Sequence, residues 1–226
     1  MNDDATLLAA LQYADSFFPS GGTAFSWGLE ALCADRQVTS ADDVRRFLEG
    51  QLRHRWGTCD RLFLVAAHRA CKDLDAVAAL DRMLDAMTLP RELREGATRA
   101  GSALLGIHDR LGTAGAAAYR RRVRAGEAPG HLPVLQGLLL AGVGLDERVA
   151  SVVSAHALSV SVVSAALRLS VITHVGGQRI LAAVRGLLAE LLAERVADVV
   201  DASVYTPATD AAAMRHESQT VRLFAN

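Results

Sequence analysis

The sequence predicts an all-α fold, a single-domain helical bundle of about eight to ten helices over residues 1–226. Three observations support this prediction. Apolar residues recur at intervals of three and four along most of the chain, and the apolar runs are long and alanine-rich. No Asn-Gly or Asp-Gly turn separates short alternating segments, as it would in a sheet of hairpins. The chain shows no internal repeat and no linker long enough to divide it.

The first half of the chain contains three predicted helices. Ser40 followed by Asp43 is typical of a capped helix start, and Pro90 is predicted to be the first residue of a helix. Each helix has a stripe of core residues at helical spacing: Val44, Phe47, Leu48 and Leu52; then Val77, Leu80, Leu84 and Met87; then Leu93, Ala97, Ala100, Leu104, His108 and Leu111.

The second half begins with a loop, YRRRVRAGEAPGHLP, that contains glycine and two prolines. Two apolar segments follow, at about 134–145 and 149–167. A last long helix is predicted from about Gln178 to Val196, and it presents one core stripe: Ile180, Val184, Leu187 and Leu191.

Composition limits the classes of function. A formal net charge of −1 gives no basic excess, which argues against nucleic acid as the main partner. The uncharged run from Val149 to Leu167 is long enough to cross a membrane, but it carries five serines and His156, so a buried helix is predicted. The acidic N-terminus lacks the basic start of an export signal. Three cysteines without a C-x-x-C pair indicate reduced thiols and a cytoplasmic location.

The stretch DSFFPSGGTAFSWGLEAL, from Asp15 to Leu32, raises two enzyme hypotheses. Lys72 is the only lysine of the chain and lies elsewhere, which excludes a standard phosphate-binding loop. Residues 24–28 are one substitution from a G-x-S-x-G nucleophile elbow, and HVGG at 174–177 is faintly similar to an oxyanion loop. An elbow requires a preceding strand, which the sequence does not predict. A small helical serine hydrolase using Ser26 remains the alternative function.

Other candidate residues have ordinary structural explanations. His68 and Cys71 stand three apart on a predicted helix and could face one metal ion, but no second ligand pair follows at a suitable spacing. His108 and His156 are interpreted as core histidines. The arginine run at Arg120, Arg121, Arg122 and Arg124 is interpreted as a solvated face, with a phosphate or an acidic partner as the alternative.

The C-terminal sequence DAAAMRHESQTVRLFAN mixes apolar and charged residues and looks suited to docking. Together with LQYADSFFPSGGTAFSWGLEAL it resembles the hallmark segments of the urease accessory protein UreF family. That family has a Pro-x-Gly-x-aromatic-x-x-Ser-x-Gly-Leu-Glu element near the start and a Met-x-His-Glu-x-x-x-x-Arg-Leu element at the end. Three internal blocks, ELREGATRAGSALL, GHLPVLQGLL and AALRLSVITHVGGQRIL, extend the resemblance over nearly the whole chain.

The resemblance implies an all-α homodimer without catalysis of its own. Such a protein acts as an adaptor and regulator that joins a UreD/UreH-type accessory protein and the GTPase UreG, and the assembly delivers nickel to apo-urease in the cytoplasm. No cofactor is expected to be tightly bound, since Ni²⁺ and GTP act through the partner complex. Neither nucleic acid nor a membrane is an expected partner.

The resemblance also implies which residues contact partners, within an N-terminal segment (about 1–32) and a C-terminal tail (about 208–226). They are Pro19, Gly21, Gly22, Thr23, Ser26, Gly28, Glu30, Arg168, Arg215, His216, Glu217, Arg222 and Leu223. Pro19, Gly21 and Gly22 would form a turn before the next helix. For Arg168, a partner contact and a local ion pair both stay open. The sequence departs from the family pattern at Thr23, Phe25, Gly176 and Thr220.

Overall fold

The computed structural model describes residues 3–19 and 25–216, and over these ranges the chain is helical without any strand. The helices are α1 (Asp3–Ala14), α2 (Leu29–Ala34), α3 (Ala41–Gln51), α4 (Arg61–Arg69), α5 (Leu74–Met87), α6 (Arg91–Arg110), α7 (Ala116–Arg124), α8 (Leu132–Gly142), α9 (Glu147–Arg168), α10 (His174–Ala183), α11 (Arg185–Ala193) and α12 (Pro207–His216). The predicted all-α bundle is confirmed.

Helices α3 and α4 form one rod because the π-helical segment Leu52–Asp60 joins them directly. The predicted cap at its start is present. The backbone N–H of Asp43 donates to Ser40 Oγ at 3.2 Å, and Asp43 Oδ2 accepts from the backbone N–H of Ser40 at 3.0 Å. This reciprocal pair satisfies two of the N–H groups that a helix start leaves without partners.

The centre of the bundle is the crossing of α4 and α8. It brings the two backbones together at Gly137, where a Cβ atom would overlap the carbonyl oxygen of Leu64. A second close approach lies between α6 and the loop before α8, where a Cβ at Gly101 would overlap the carbonyl oxygen of Gly130. Glycine at these two positions therefore sets the spacing of three helices.

The apolar segment around 149–167 forms α9, the longest helix among the described residues. By length and composition this helix could cross a membrane, but 67% of its most apolar window is buried inside the protein. Ala155, Val162 and Ala166 are almost completely buried there. As predicted, α9 is a core helix.

Several predictions about the ends of helices need correction. The first part of the predicted loop, residues 119–124, belongs to α7. Pro90 is the N-cap of α6 rather than its first residue, and Cys71 lies beyond the end of α4.

The last long helix does not run from Gln178 to Val196: it breaks at Val184 and ends at Ala193, although its four core residues are buried as expected. Val184 is both the C-cap of α10 and the N-cap of α11. The chain becomes extended only after α11, at Glu194. Leu111 was placed on the buried face of α6 but is 55% exposed, because α6 ends at Arg110.

Substitution of Gly137 tests the crossing. We expect Gly137→Ala to lower the free energy of unfolding by about 2–4 kcal/mol, because the new methyl group must displace backbone atoms of α4. Gly50→Ala is the matched control, since nothing lies within 4 Å of a Cβ in that position of α3. The control should gain up to about 1 kcal/mol from helix propensity. Equal unfolding midpoints in urea for the two variants would contradict the role of Gly137.

Candidate functional site

Two segments that lie near opposite ends of the chain, residues 25–35 and helix α12, meet on one side of the bundle. Helix α12 packs against α2 and α6, and Ala212 and Ala213 are buried there. At its rim an exposed ion pair joins Arg215 Nη2 to Asp35 Oδ2 at 2.7 Å. We call this region, comprising residues 25–35 and Pro207–Arg215, the end junction.

The N-terminal half of the end junction is a tight turn in front of α2. The backbone N–H of Leu29 donates to the carbonyl of Ser26 at 2.9 Å, and both residues between them are left-handed, Trp27 with φ 56° and Gly28 with φ 78°. A Cβ at Gly28 would lie 3.2 Å from the carbonyl oxygen of Thr209 in α12. Glycine is required here both by its backbone conformation and by the neighbouring helix.

A left-handed tryptophan is rare and costs conformational energy, so its surroundings must hold it in place. The Trp27 ring meets the Phe25 ring edge-to-face with centroids 4.5 Å apart, and the Arg55 guanidinium lies 5.4 Å from its centroid. Phe25 in turn lies so close to Gly96 of α6 that a Cβ there would overlap the phenyl ring. The turn therefore packs between α6 and the π-helical segment.

The chain that leads into the C-terminal half of the end junction, helix α12, runs along the π-helical segment. The backbone N–H groups of Ser203 and Tyr205 donate to the carbonyls of Thr58 and His54, at 3.0 and 2.9 Å. Thr58 Oγ1 also donates to the carbonyl of Ser203 at 2.7 Å. These bonds fix the extended residues 202–206 and therefore the position at which α12 begins.

A buried hydrogen bond then ties α12 to the same rod. Gln51 Nε2 donates to Thr209 Oγ1 at 2.8 Å, and both residues are at most 4% exposed. A bond of this kind contributes only about 1 kcal/mol when made, but leaving one partner unsatisfied in the interior costs more. The bond therefore specifies the register of α12.

Glu30 of the end junction interacts electrostatically with Arg168 of α9. Glu30 is buried at the start of α2, whereas Arg168 is exposed at the end of α9. Partial burial lowers the pKa of Arg168, and the charge of Glu30 opposes that shift. Burial raises the pKa of Cys33 to about 11, with a further contribution from Glu30, so this thiol stays protonated at neutral pH.

Behind the turn lies a largely apolar cavity of about 80 Å³. Its wall includes Trp27, Asp60 and His108. Asp60 forms an ion pair with Arg55 at 3.4 Å, while burial raises the pKa of Asp60 and the positive charge of Arg55 opposes the rise. Asp60 Oδ1 and Trp27 Nε1 have no hydrogen-bond partner in the described part of the chain.

The predicted partner-contact residues fall into three groups. Pro19, Arg168 and Arg215 are exposed. Ser26, Gly28 and Glu30 are buried in the end junction, and Ser26 and Gly28 belong to the turn rather than to the helix after it. Of the others, His216 ends α12, with its side chain outside the described atoms, and the rest lie outside the described residues: Gly21, Gly22, Thr23, Glu217, Arg222 and Leu223.

The structure gives no support to a serine hydrolase. The side chain of Ser26 is completely buried, so no substrate can reach it in this conformation. HVGG does not form a loop: it is the first turn of α10, capped by Thr173. The strand that a nucleophile elbow requires is not found in residues 3–19 or 25–216.

The predicted burial of the two core histidines is correct for one of them only. His108 is buried, as expected, with Nδ1 2.9 Å from Thr113 Oγ1. His156, predicted to be in the core, lies instead on the exposed side of α9, because the core contacts of that helix are made by its other faces. His68 Nε2 lies 2.8 Å from the carbonyl oxygen of Leu145, and no metal-binding cluster of three His, Cys, Asp or Glu residues occurs in the described ranges.

Two members of the arginine run are engaged by nearby acids. Arg120 pairs with Asp109, and Arg122 pairs with Asp75. Arg121 and Arg124 are exposed. These contacts favour the solvated face over a phosphate site.

Sequence reasoning missed most of the contacts that build the end junction. Asp35, Gln51 and Thr209 stand outside every quoted motif, and nothing in the sequence pairs them with their distant partners. Trp27 had a usable signal, since it directly precedes Gly28 and is one of only two tryptophans.

The fold and the end junction define an all-α protein in which the segment around α2 packs against the C-terminal helix α12. A sequence model of the UreF family matches residues 38–185. The urease accessory protein UreF of Trichodesmium erythraeum (strain IMS101) is 32% identical over 100% of this chain and 99% of its own length. The UreF protein of Yersinia enterocolitica (serotype O:8) is 30% identical over 97% of this chain and 98% of its own length. UreF 1 of Brucella melitensis biotype 1 is 31% identical over 97% of this chain and 92% of its own length. The chain belongs to the UreF family of urease accessory proteins.

Substitution of Gly28 tests the fit between the turn and α12. We expect Gly28→Ala to destabilise the fold by about 2–3 kcal/mol, because a left-handed alanine is strained and its methyl group would press on Thr209. Gly112→Ala separates the two effects, since Gly112 has φ 72° but nothing within 4 Å of a Cβ. Equal losses in denaturant titrations would show that α12 does not press on the turn.

A pH titration tests the burial of His108. Burial lowers its pKa from 6.5 to about 4, so the folded state disfavours the protonated imidazole. The unfolded chain binds the proton first, and stability contributed by this residue is lost as pH falls from about 6.5 towards 4, by about 2–3 kcal/mol. His108→Gln should flatten this part of the stability–pH curve. Exposed His174→Gln should leave it unchanged, and equal curves for both variants would refute the assignment.

Proposed function

We propose that this chain is a urease maturation factor that acts without catalysis of its own. In this proposal it joins a UreD/UreH-type protein and the GTPase UreG into the assembly that delivers nickel to apo-urease in the cytoplasm, and it works as a homodimer. Nickel and GTP belong to the partner complex rather than to a tightly bound site on this chain. Membership in the UreF family, matched over nearly the whole length by curated relatives, supports a role in urease maturation.

The observation that carries the proposal is the end junction itself. The hallmark segments of the family lie at opposite ends of the sequence, and their described parts pack against each other. An adaptor needs such a composite surface, because only the folded chain presents both segments together. The exposed rim combines the ion pair of Arg215 and Asp35 with Met214, which is 53% exposed.

Burial suggests a division of roles among the proposed contact residues. Ser26 and Gly28 shape the turn, and their contribution to a partner surface is indirect. Arg168 and Arg215 are exposed and can contact a partner through a planar guanidinium with several donors. For Arg168 the proposed contact would compete with the electrostatic attraction of Glu30.

Reconstitution tests the proposal directly. The purified chain should co-elute with UreD/UreH-type and UreG-type proteins of the same organism, and should be required for activation of apo-urease by Ni²⁺ and GTP. Failure of both readouts would refute the adaptor role. Hydrolysis of a model ester that is lost in Ser26→Ala, but not in the nearby Ser161→Ala, would instead support the hydrolase.

Removal of the last ten residues, 217–226, separates folding from assembly. We expect this truncation to keep the melting temperature within about 3 °C of the full chain, because every described contact of α12 ends by Arg215. We also expect it to abolish co-elution with the partner proteins and urease activation. Arg215→Ala in the full chain is the matched control for α12, and should weaken assembly less than the truncation. Full assembly by the truncated chain would show that partner contacts lie elsewhere.

A further inference from the structure

Helix α1 has an unusual environment for a helix of its composition. Its sequence, DDATLLAALQYA, is apolar around most of its circumference, yet none of its residues is buried. The inner face, with Ala9, Ala10 and Tyr13, packs against an apolar cluster formed by α4, α8 and α9. A helix that is apolar on all sides is normally covered on all sides. The outer face of α1 therefore lacks a covering element in the described part of the chain.

The outer face has a defined pattern. Leu7, Leu8 and Leu11 are 60%, 67% and 58% exposed. At 100° per residue they lie on the same side of the helix as Asp4 and, just beyond the last turn, Asp15. The surface is a leucine stripe with a carboxylate at each end, and α1 contains no basic residue. Phe17, which is 93% exposed, lies directly after it.

We propose that the outer face of α1 binds an amphipathic helix of another protein, whose apolar stripe is bordered by lysine or arginine at both ends. The leucines provide the apolar contact of a helix-in-groove or helix-on-helix complex. The carboxylates at the two ends select the basic flanks of the partner and fix its position along α1. We call this surface the α1 face.

Charge favours this occupant over a second copy of the chain. Two α1 helices packed antiparallel about a two-fold axis would place Asp3 and Asp4 against Asp15 of the other copy, and parallel packing would place each acid against itself. Either arrangement brings like charges together, which is unfavourable. The same carboxylates would repel an anionic membrane surface.

The inference rests on the proposed function for its choice of partner, because the assembly of UreD/UreH-type and UreG-type proteins supplies the binding component. The partner is defined by chemistry: about two turns of apolar stripe with basic residues at each end. The α1 face lies within the N-terminal segment that the resemblance implies for partner binding, and Leu11 and Asp15 belong to the hallmark sequence. None of its residues is among the individual contact residues that the resemblance implies, so the α1 face and the end junction can be tested by separate substitutions.

The test compares Leu8→Gln/Leu11→Gln with Leu111→Gln/Val175→Gln in the full-length chain. All four side chains are more than half exposed, so neither double variant should change the melting temperature appreciably. Binding to the purified UreD/UreH-type and UreG-type proteins is measured by calorimetry at about 50 and about 300 mM salt. We expect the α1 variant to bind one of them about 30-fold more weakly or worse, and the control to stay within about twofold. Wild-type affinity should fall with salt, and Asp4→Lys should reduce that salt dependence.

The other outcomes each overturn a different step. Unchanged partner binding by the α1 variant refutes the α1 face and leaves the proposed function intact. If the wild-type chain binds neither protein, the proposed function and this inference both fail. Loss of self-association in the α1 variant would identify a second copy as the occupant, and flotation of the wild-type chain with phosphatidylserine vesicles would identify a membrane. Either result refutes the proposal that a basic amphipathic helix binds the α1 face.

Discussion

The π-helical segment Leu52–Asp60 is the element on which the C-terminal third of the fold depends. Its carbonyls at His54 and Thr58 accept hydrogen bonds from the extended chain that leads into α12. At its end, the Arg61 guanidinium donates to the carbonyls of Leu191 and Glu194, so it holds the C-terminus of α11. A π-helical stretch is rarely longer than one turn and is often found at functional sites. Here a stretch of nine residues anchors both α11 and the approach to α12.

The same segment concentrates the polar groups that the interior leaves unsatisfied. Among described side chains, five buried nitrogen or oxygen atoms lack a hydrogen bond, and they belong to Trp27, Gln51, Arg55, Asp60 and Arg61. The Arg55 atom, Nε, still lies 3.4 Å from Asp60 Oδ2 in an ion pair. All five residues except Trp27 lie on or next to the π-helical segment, and Trp27 packs beneath Arg55. Unsatisfied groups and a left-handed tryptophan both cost stability. Their clustering around the end junction indicates that this region is not optimised for stability alone.

Periodicity predicted the elements of the fold better than their ends or their contacts. Stripes such as Leu93 to His108 are local properties of one helix, and burial of one face follows from spacing. The break at Val184 was not predicted because apolar residues continue at helical spacing through it. The exposure of His156 was not predicted because α9 is apolar on nearly every side. The spacing of apolar residues could not predict the π-helical segment, since two of its five buried residues are the charged Arg55 and Asp60. The end junction depends on pairs such as Gln51 and Thr209, separated by 158 residues, which no spacing rule connects.

The way α12 is attached explains how a chain end can be placed accurately without becoming a large part of the core. Its buried side chains are small, Thr209, Ala212 and Ala213, so the apolar area removed from water is limited. Register comes instead from directional contacts, namely the Gln51 bond, the close approach to Gly28 and the Arg215 ion pair. Directional bonds contribute little net free energy but penalise misplacement strongly. A shifted helix would leave Nε2 of Gln51 without its hydrogen bond and would press on the turn. The contacts of the end junction therefore fix the position of α12 accurately while contributing little to the free energy of unfolding. This combination suits a surface that a partner protein binds.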